Sequence, residues 1–168
     1  AAAGGTLLLK TQVLDRMHDG EGTKDTQYTG TYAGQMLEAV VAANGRCANT
    51  FSLHHTLTIA LRGDSGNAAG STADSTGTWG IVASTCGTGP FGENATAWRM
   101  NLTGTASSLT GSATVTSPDG SATSTYTFQG ALSGDTISGS VSETIQRTPF
   151  PGATGSGSAT YAVTLQKR

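Results

Sequence analysis

The stretch Thr136–Ile145, TISGSVSETI, sets a carboxylate among apolar side chains: Ile137, Val141, Glu143 and Ile145 fall on the same side of any extended strand. The segment Phe51–Leu61 does the same with a base, because Phe51, Leu53, His55, Leu57, Ile59 and Leu61 alternate with Ser52, His54, Thr56, Thr58 and Ala60. An acid and a base inside an apolar interior can do three kinds of work. They can satisfy a structural need, anchor the polar end of a ligand in an apolar pocket, or act as general acid and base with shifted pKa values. An unpartnered buried carboxylate is destabilising or is forced neutral, so Glu143 requires a partner. His55 is the expected one, Arg99 and Arg62 being out of register or in a loop. No nucleophile elbow, oxyanion hole or metal-ligand spacing accompanies the pair, so no catalytic residue, metal site or cofactor is assigned. The expectation is a ligand-binding site in which His55 and Glu143 are polar anchors and Trp79, Trp98, Tyr126 and Tyr161 line the pocket.

Such side chains need strands to position them, and period two runs through most of the chain. Apolar residues alternate in sets such as Trp98, Met100 and Leu102, then Tyr126 and Phe128, then Tyr161, Val163 and Leu165. The connections TASS, SPDGS and LSGDT supply the Gly, Asp and Pro of short hairpin turns, so neighbouring strands are expected to pair antiparallel as a meander. Strands near Gln27–Tyr32 and Thr78–Ser84 bring the count to about eight, enough to close a small barrel and remove exposed edges. The fold class is therefore all-β, an antiparallel meander closed or nearly closed into a barrel, with a two-sheet sandwich as the alternative. One short helix is expected over residues 32–43, YAGQMLEAVVAA, where Tyr32, Met36, Leu37, Val40 and Val41 line one helical face and Asn44-Gly45 supplies a stop.

Composition shifts near residue 51. Serine is absent from residues 1–50, which hold nine of the 20 charged residues. The expected organisation is an N-terminal arm over residues 1–27 and a single β-domain over residues 28–168. Within the arm, Leu7, Leu9 and Val13 suit an extended strand, with Thr6 and Thr11 as β-formers.

The totals narrow the partners. Charged residues are 12% of the 168 and the net charge is −2, so no basic field is present to attract nucleic acid or an anionic membrane. The 24 glycines have no three-residue period and apolar residues reach 36%, which argues against collagen and disorder. No apolar run approaches the length of a membrane span. The start AAAGGTLLLK lacks the basic region of a signal peptide, so the chain is expected to be a mature form. Cys47 and Cys86 are compatible with one disulfide and hence an oxidising compartment: extracellular, cell surface or periplasmic.

Two resemblances sharpen these expectations. Gly77-Thr78-Trp79 resembles the G-x-W that opens the barrel of calycins, the avidin and lipocalin group, and WRMNLTGTASSLTGSATV and YTFQGALSGDTISGSV look like avidin-type hairpins. The resemblance covers roughly residues 76–168 and implies a barrel that binds a small ligand, with Trp79 at its floor. Near the amino terminus, GGTLLLKTQVL resembles the donor strand of chaperone-usher pilins. That likeness implies a filament subunit in which Thr6, Leu7, Leu9 and Val13 add as a strand to a neighbouring copy. The expected partner is accordingly a small, largely apolar molecule or further copies of the chain, in a homo-oligomer or polymer.

Overall fold

A computed structural model of the chain describes residues 25–63, 67–87, 92 and 94–168. Eight antiparallel strands close into one barrel in sequence order. They are β1 (Thr26–Ala42), β2 (Gly45–Leu61), β3 (Thr72–Ser84), β4 (Asn94–Thr105), β5 (Ser108–Thr116), β6 (Ala122–Ser133), β7 (Thr136–Arg147) and β8 (Thr154–Lys167). β1 closes the ring against β8, from Tyr28 opposite Lys167 to Val41 opposite Thr154. The expected eight-stranded meander is present as a closed barrel rather than a sandwich. The arm residues Thr6, Leu7, Leu9 and Val13 lie outside the described residues.

The helix expected over residues 32–43 is not formed; those residues lie in β1 and the turn that follows. Tyr32, Met36 and Val40 are four apart, a spacing that satisfies a helical face and one side of a strand equally well. The two patterns diverge at Leu37 and Val41, which a helix would bury and which are 63% and 48% exposed. What decides is pairing along the whole length of β2, from Thr26 opposite Leu61 to Ala42 opposite Gly45. Ala43 and Asn44 make a two-residue hairpin loop, and Gly45 at φ +133° takes the backbone out of it, so Asn44-Gly45 turns a hairpin rather than ending a helix.

Inward and outward residues alternate on every strand. At one end, where the β2–β3, β4–β5 and β6–β7 connections lie, Leu57, Ile59, Leu102, Leu109, Ile137 and Leu165 are buried and fill the interior. Residues 67–71 of the β2–β3 connection fold over that end. Ala68 and Ser71 are fully buried, with Ala68 N donating to Gly104 O (3.0 Å) and Leu102 N to Ser71 O (2.9 Å). Each such aliphatic side chain contributes roughly 1.5–3 kcal/mol by leaving water. Outward positions carry exposed Thr127, Gln129, Ser138, Thr144, Ser156 and Thr160. Polar outside and apolar inside is the reverse of a transmembrane barrel's pattern. Among the described residues, no helix is long and apolar enough to cross a membrane.

The other end is closed on one side by a buried ionic network. Glu38 of β1 points inward and is 0% exposed. Arg147, at the end of β7, donates through Nε to its Oε2 and through a terminal nitrogen to its Oε1 (3.0 Å). Asn49 Nδ2 also donates to Oε1 (2.8 Å), and Ser84 Oγ donates to Asn49 Oδ1 (2.6 Å). The guanidinium lies 5.1 Å from the centre of the Phe51 ring, a cation–π contact. Gly155 on β8 leaves the space: a Cβ there would sit 2.8 Å from Glu38 Cδ. On the same rim the Cys47–Cys86 disulfide, with 39 residues of sequence separation, ties β2 to the segment after β3.

Because Arg147 is the charge that compensates Glu38, Arg147→Ala is expected to destabilise the protein by about 3–5 kcal/mol in urea unfolding. The double variant Glu38→Gln/Arg147→Met, which buries no charge, is expected to lose less. Equal losses would mean that the pair does not act as a buried ion pair.

Candidate functional site

Between the packed end and the ionic network the interior is not filled. A cavity of about 350 Å³ lies there, lined by inward residues of β1 to β7 that include Met36, Phe51, Leu53, Val115 and Ile145. Its lining includes Ala95, Thr96, Ala97, Val115 and Thr116, which flank a gap in the barrel wall. β4 and β5 pair only from Leu102 opposite Gly111 to Thr105 opposite Ser108. Beyond that point β4 from Asn94 to Asn101 pairs with β3, and β5 from Ser112 to Thr116 pairs with β6, with no pairing between them among the described residues. The seam explains why Ala95, Ala97 and Thr116, which point outward by parity, also line the cavity. The β5–β6 turn, including Pro118, frames the opening and is stiff. Asp119 Oδ1 accepts from Ser117 Oγ (2.7 Å), Ser121 Oγ (2.7 Å) and Ser121 N (3.0 Å), bonds that hold its carboxyl down at about 2. A second cavity of about 450 Å³ adjoins it over Trp79, Pro118 and Arg147.

Of the six residues expected to form a pocket, four line the main cavity: His55, Glu143, Trp79 and Tyr126. Trp98 and Tyr161 stand behind the wall. Trp98 stacks on Tyr126 with ring centres 5.4 Å apart, and Tyr161 stacks on Tyr32 at 5.7 Å. Trp79 is not at the barrel floor. It sits on the third strand beside the opening, with Asn94 across from it and its ring edge-on to Phe51 at 5.3 Å. The floor is aliphatic.

His55 and Glu143 share the cavity but are not hydrogen-bonded to each other. His55 is 2% exposed, stacks on Tyr32 at 5.1 Å, and has Nδ1 2.9 Å from Ser75 Oγ, which is also 3.2 Å from Tyr32 OH. Gly77 makes room for the ring, since a Cβ there would lie 2.7 Å from His55 Cγ. Burial, with a smaller effect of His54, lowers the His55 pKa to about 4, so the ring is neutral at neutral pH. Glu143 is 8% exposed and makes no ion pair among the described residues. Burial raises its pKa, and the nearby Tyr126 and Ser124 hydroxyls oppose that in part without forming a hydrogen bond of standard geometry. Two further polar atoms, Trp98 Nε1 and Tyr161 OH, are buried without a partner among the described residues.

This arrangement can enclose a compact apolar molecule and offer it a few polar groups. Ser75 Oγ and His55 Nδ1 lie within hydrogen-bond distance, but Ser75 is buried and does not line the cavity; no group of three His, Cys, Asp or Glu side chains that could hold a metal ion occurs among the described residues. Ser75 and the Glu38–Arg147 pair went unanticipated. Ser75 belongs to a strand whose alternation through small residues is weak in sequence, and Glu38 and Arg147 are 109 residues apart. The site and fold define an eight-stranded up-and-down barrel with an internal cavity. Neither a known family model nor any curated protein matches this sequence.

The depressed His55 pKa sets a pH dependence. Between about 4 and 6.5 the folded state binds fewer protons at His55 than the unfolded chain does. Its stabilising contribution is present above about 6.5 and is lost as pH falls through about 4. Glu143, raised, acts in the opposite sense. It is common to wild type and His55→Gln, so the difference in Tm between them isolates the histidine. That difference is expected to move against the wild type as pH falls from 7 to 4 in differential scanning calorimetry; a difference independent of pH would contradict a buried neutral His55.

Proposed function

We propose that this chain is a secreted or cell-surface, calycin-like, non-enzymatic barrel that binds a small, largely apolar ligand in its interior. The observation that carries the reading is the cavity of about 350 Å³ bordered by the β4–β5 seam. Its volume falls in the range of small-molecule sites, and its wall is mostly apolar with a few polar groups, the pattern such sites use. An eight-stranded barrel is just wide enough to be filled by side chains or to hold one small ligand. Here the packed end takes the first course and the cavity the second. The disulfide supports an oxidising compartment.

One observation favours a second reading, a structural subunit of an extracellular filament. Among the described residues the seam leaves one flank of β4 and one of β5 without a neighbouring strand, and the arm segment Thr6–Leu14 of another copy would add there by β-augmentation. The ligand reading ranks first because it accounts for the enclosed volume as well as the seam.

The neutral fluorophore N-phenyl-1-naphthylamine tests it. Fluorescence is expected to rise saturably at one probe per chain, and Val115→Trp, which fills the cavity from β5, is expected to weaken binding by about tenfold or more at unchanged fold. Binding unaffected by Val115→Trp would place the probe elsewhere. Polymers in native mass spectrometry that vanish on deleting residues 1–14 would favour the filament instead.

A further inference from the structure

We propose that the ligand is a lipophilic amine, bound as its ammonium ion with Glu143 as counter-ion. This rests on the cavity being the binding site and adds the charge of its occupant. Among the described residues, Glu143 is the one acidic side chain on the main cavity wall, and no lysine or arginine lines that cavity. Arg147 is paired with Glu38, and Arg99, on the outward face of β4, with Asp74. His55 supplies no positive charge, because its ring is engaged with Ser75 and buried. Among the described residues the cavity therefore presents a carboxyl group and no compensating cation.

An ammonium group answers that imbalance in three ways. Its opposite charge favours the ionised carboxylate that burial disfavours. It brings N–H donors and no acceptor, and the polar atoms beside Glu143 are the hydroxyl oxygens of Tyr126 and Ser124, which can accept them. The aromatic faces of Trp79 and Tyr126 on the same wall attract a cation through their ring quadrupoles. The ionisation of Tyr126, Tyr161 and Tyr32 is opposed chiefly by burial and in smaller part by the charge of Glu143, which lies near all three phenols. An anionic ligand would meet that charge as a repulsion. A metal ion finds too few ligands, since no cluster of three suitable side chains occurs among the described residues. The body of the amine would lie against Met36, Phe51, Leu53 and Ile145.

Isothermal titration of the full chain at neutral pH with 4-phenylbutylamine, 4-phenylbutan-1-ol and 4-phenylbutanoic acid separates the charge from the apolar body. The amine is expected to bind about tenfold or more tighter than the alcohol, and the acid most weakly. Glu143→Gln is expected to abolish the preference for the amine while leaving the alcohol within about twofold of wild type. Equal affinity for amine and alcohol, or tightest binding of the acid, would overturn the assignment of an amine and leave the cavity as a site for neutral ligands. Absence of binding by all three, together with absence of naphthylamine binding, would overturn both readings. The comparison of the three head groups on wild type decides the matter even if Glu143→Gln does not fold.

Discussion

Glu38 is fully buried, and an ionised carboxylate at that depth is tolerated only with its charge matched and its oxygens hydrogen-bonded. Arg147 and Asn49 meet both needs, and in doing so they join β1, β2 and β7 at one rim of the barrel. With the network occupying that side, the interior below it is bounded from above, and the unfilled space lies toward β4 and β5. A symmetric apolar plug would have filled the barrel from wall to wall. The ion pair instead closes half of one end and leaves a defined volume beside it.

The cavity is therefore a consequence of how two different ends are sealed. At the packed end, aliphatic side chains of β2, β4, β5, β7 and β8 pack together and residues 67–71 of the β2–β3 connection fold over them. At the other end, polar bonding and a disulfide hold β1, β2, β3 and β7 while β4 and β5 part company. His55 and Glu143 mark the polar positions in the space between. Each is buried, and each has a pKa moved by that burial toward its neutral form. They differ in having or lacking a partner: Ser75 engages His55, and Glu143 faces the cavity.

Much of the barrel was legible because two features of the chain are local. Alternation such as Phe51 to Leu61 reads directly as one inward face, and short Gly- and Asp-bearing turns impose sequential antiparallel neighbours. The inward parity of His55 and Glu143, and the Cys47–Cys86 pairing, follow from that level of reading. What was not legible depended on register. Tyr32, Met36 and Val40 fit helix and strand alike, and only the parity of the strand puts Glu38 inside. That His55 meets Ser75 rather than Glu143 follows from how β2 slides against β3, which places Leu57 opposite Ser75 and leaves Ser75 within reach of His55. Trp79 was expected at the floor by likeness to a first-strand motif, yet on the third strand the same residues run toward the opposite rim. The parting of β4 from β5 has no marker in either strand's composition.

The central claim is that the space between the two seals takes up a small molecule. Side-chain NMR of the labelled protein during titration with 4-phenylbutan-1-ol addresses it most directly. The account predicts shifts concentrated at Met36, Val115, Ile145 and the Trp79 indole, with Leu57, Ile59 and Ile137 at the packed end unmoved. Shifts confined to outward-facing residues such as Leu37, Val41 and Val82, or no shifts at all, would contradict it.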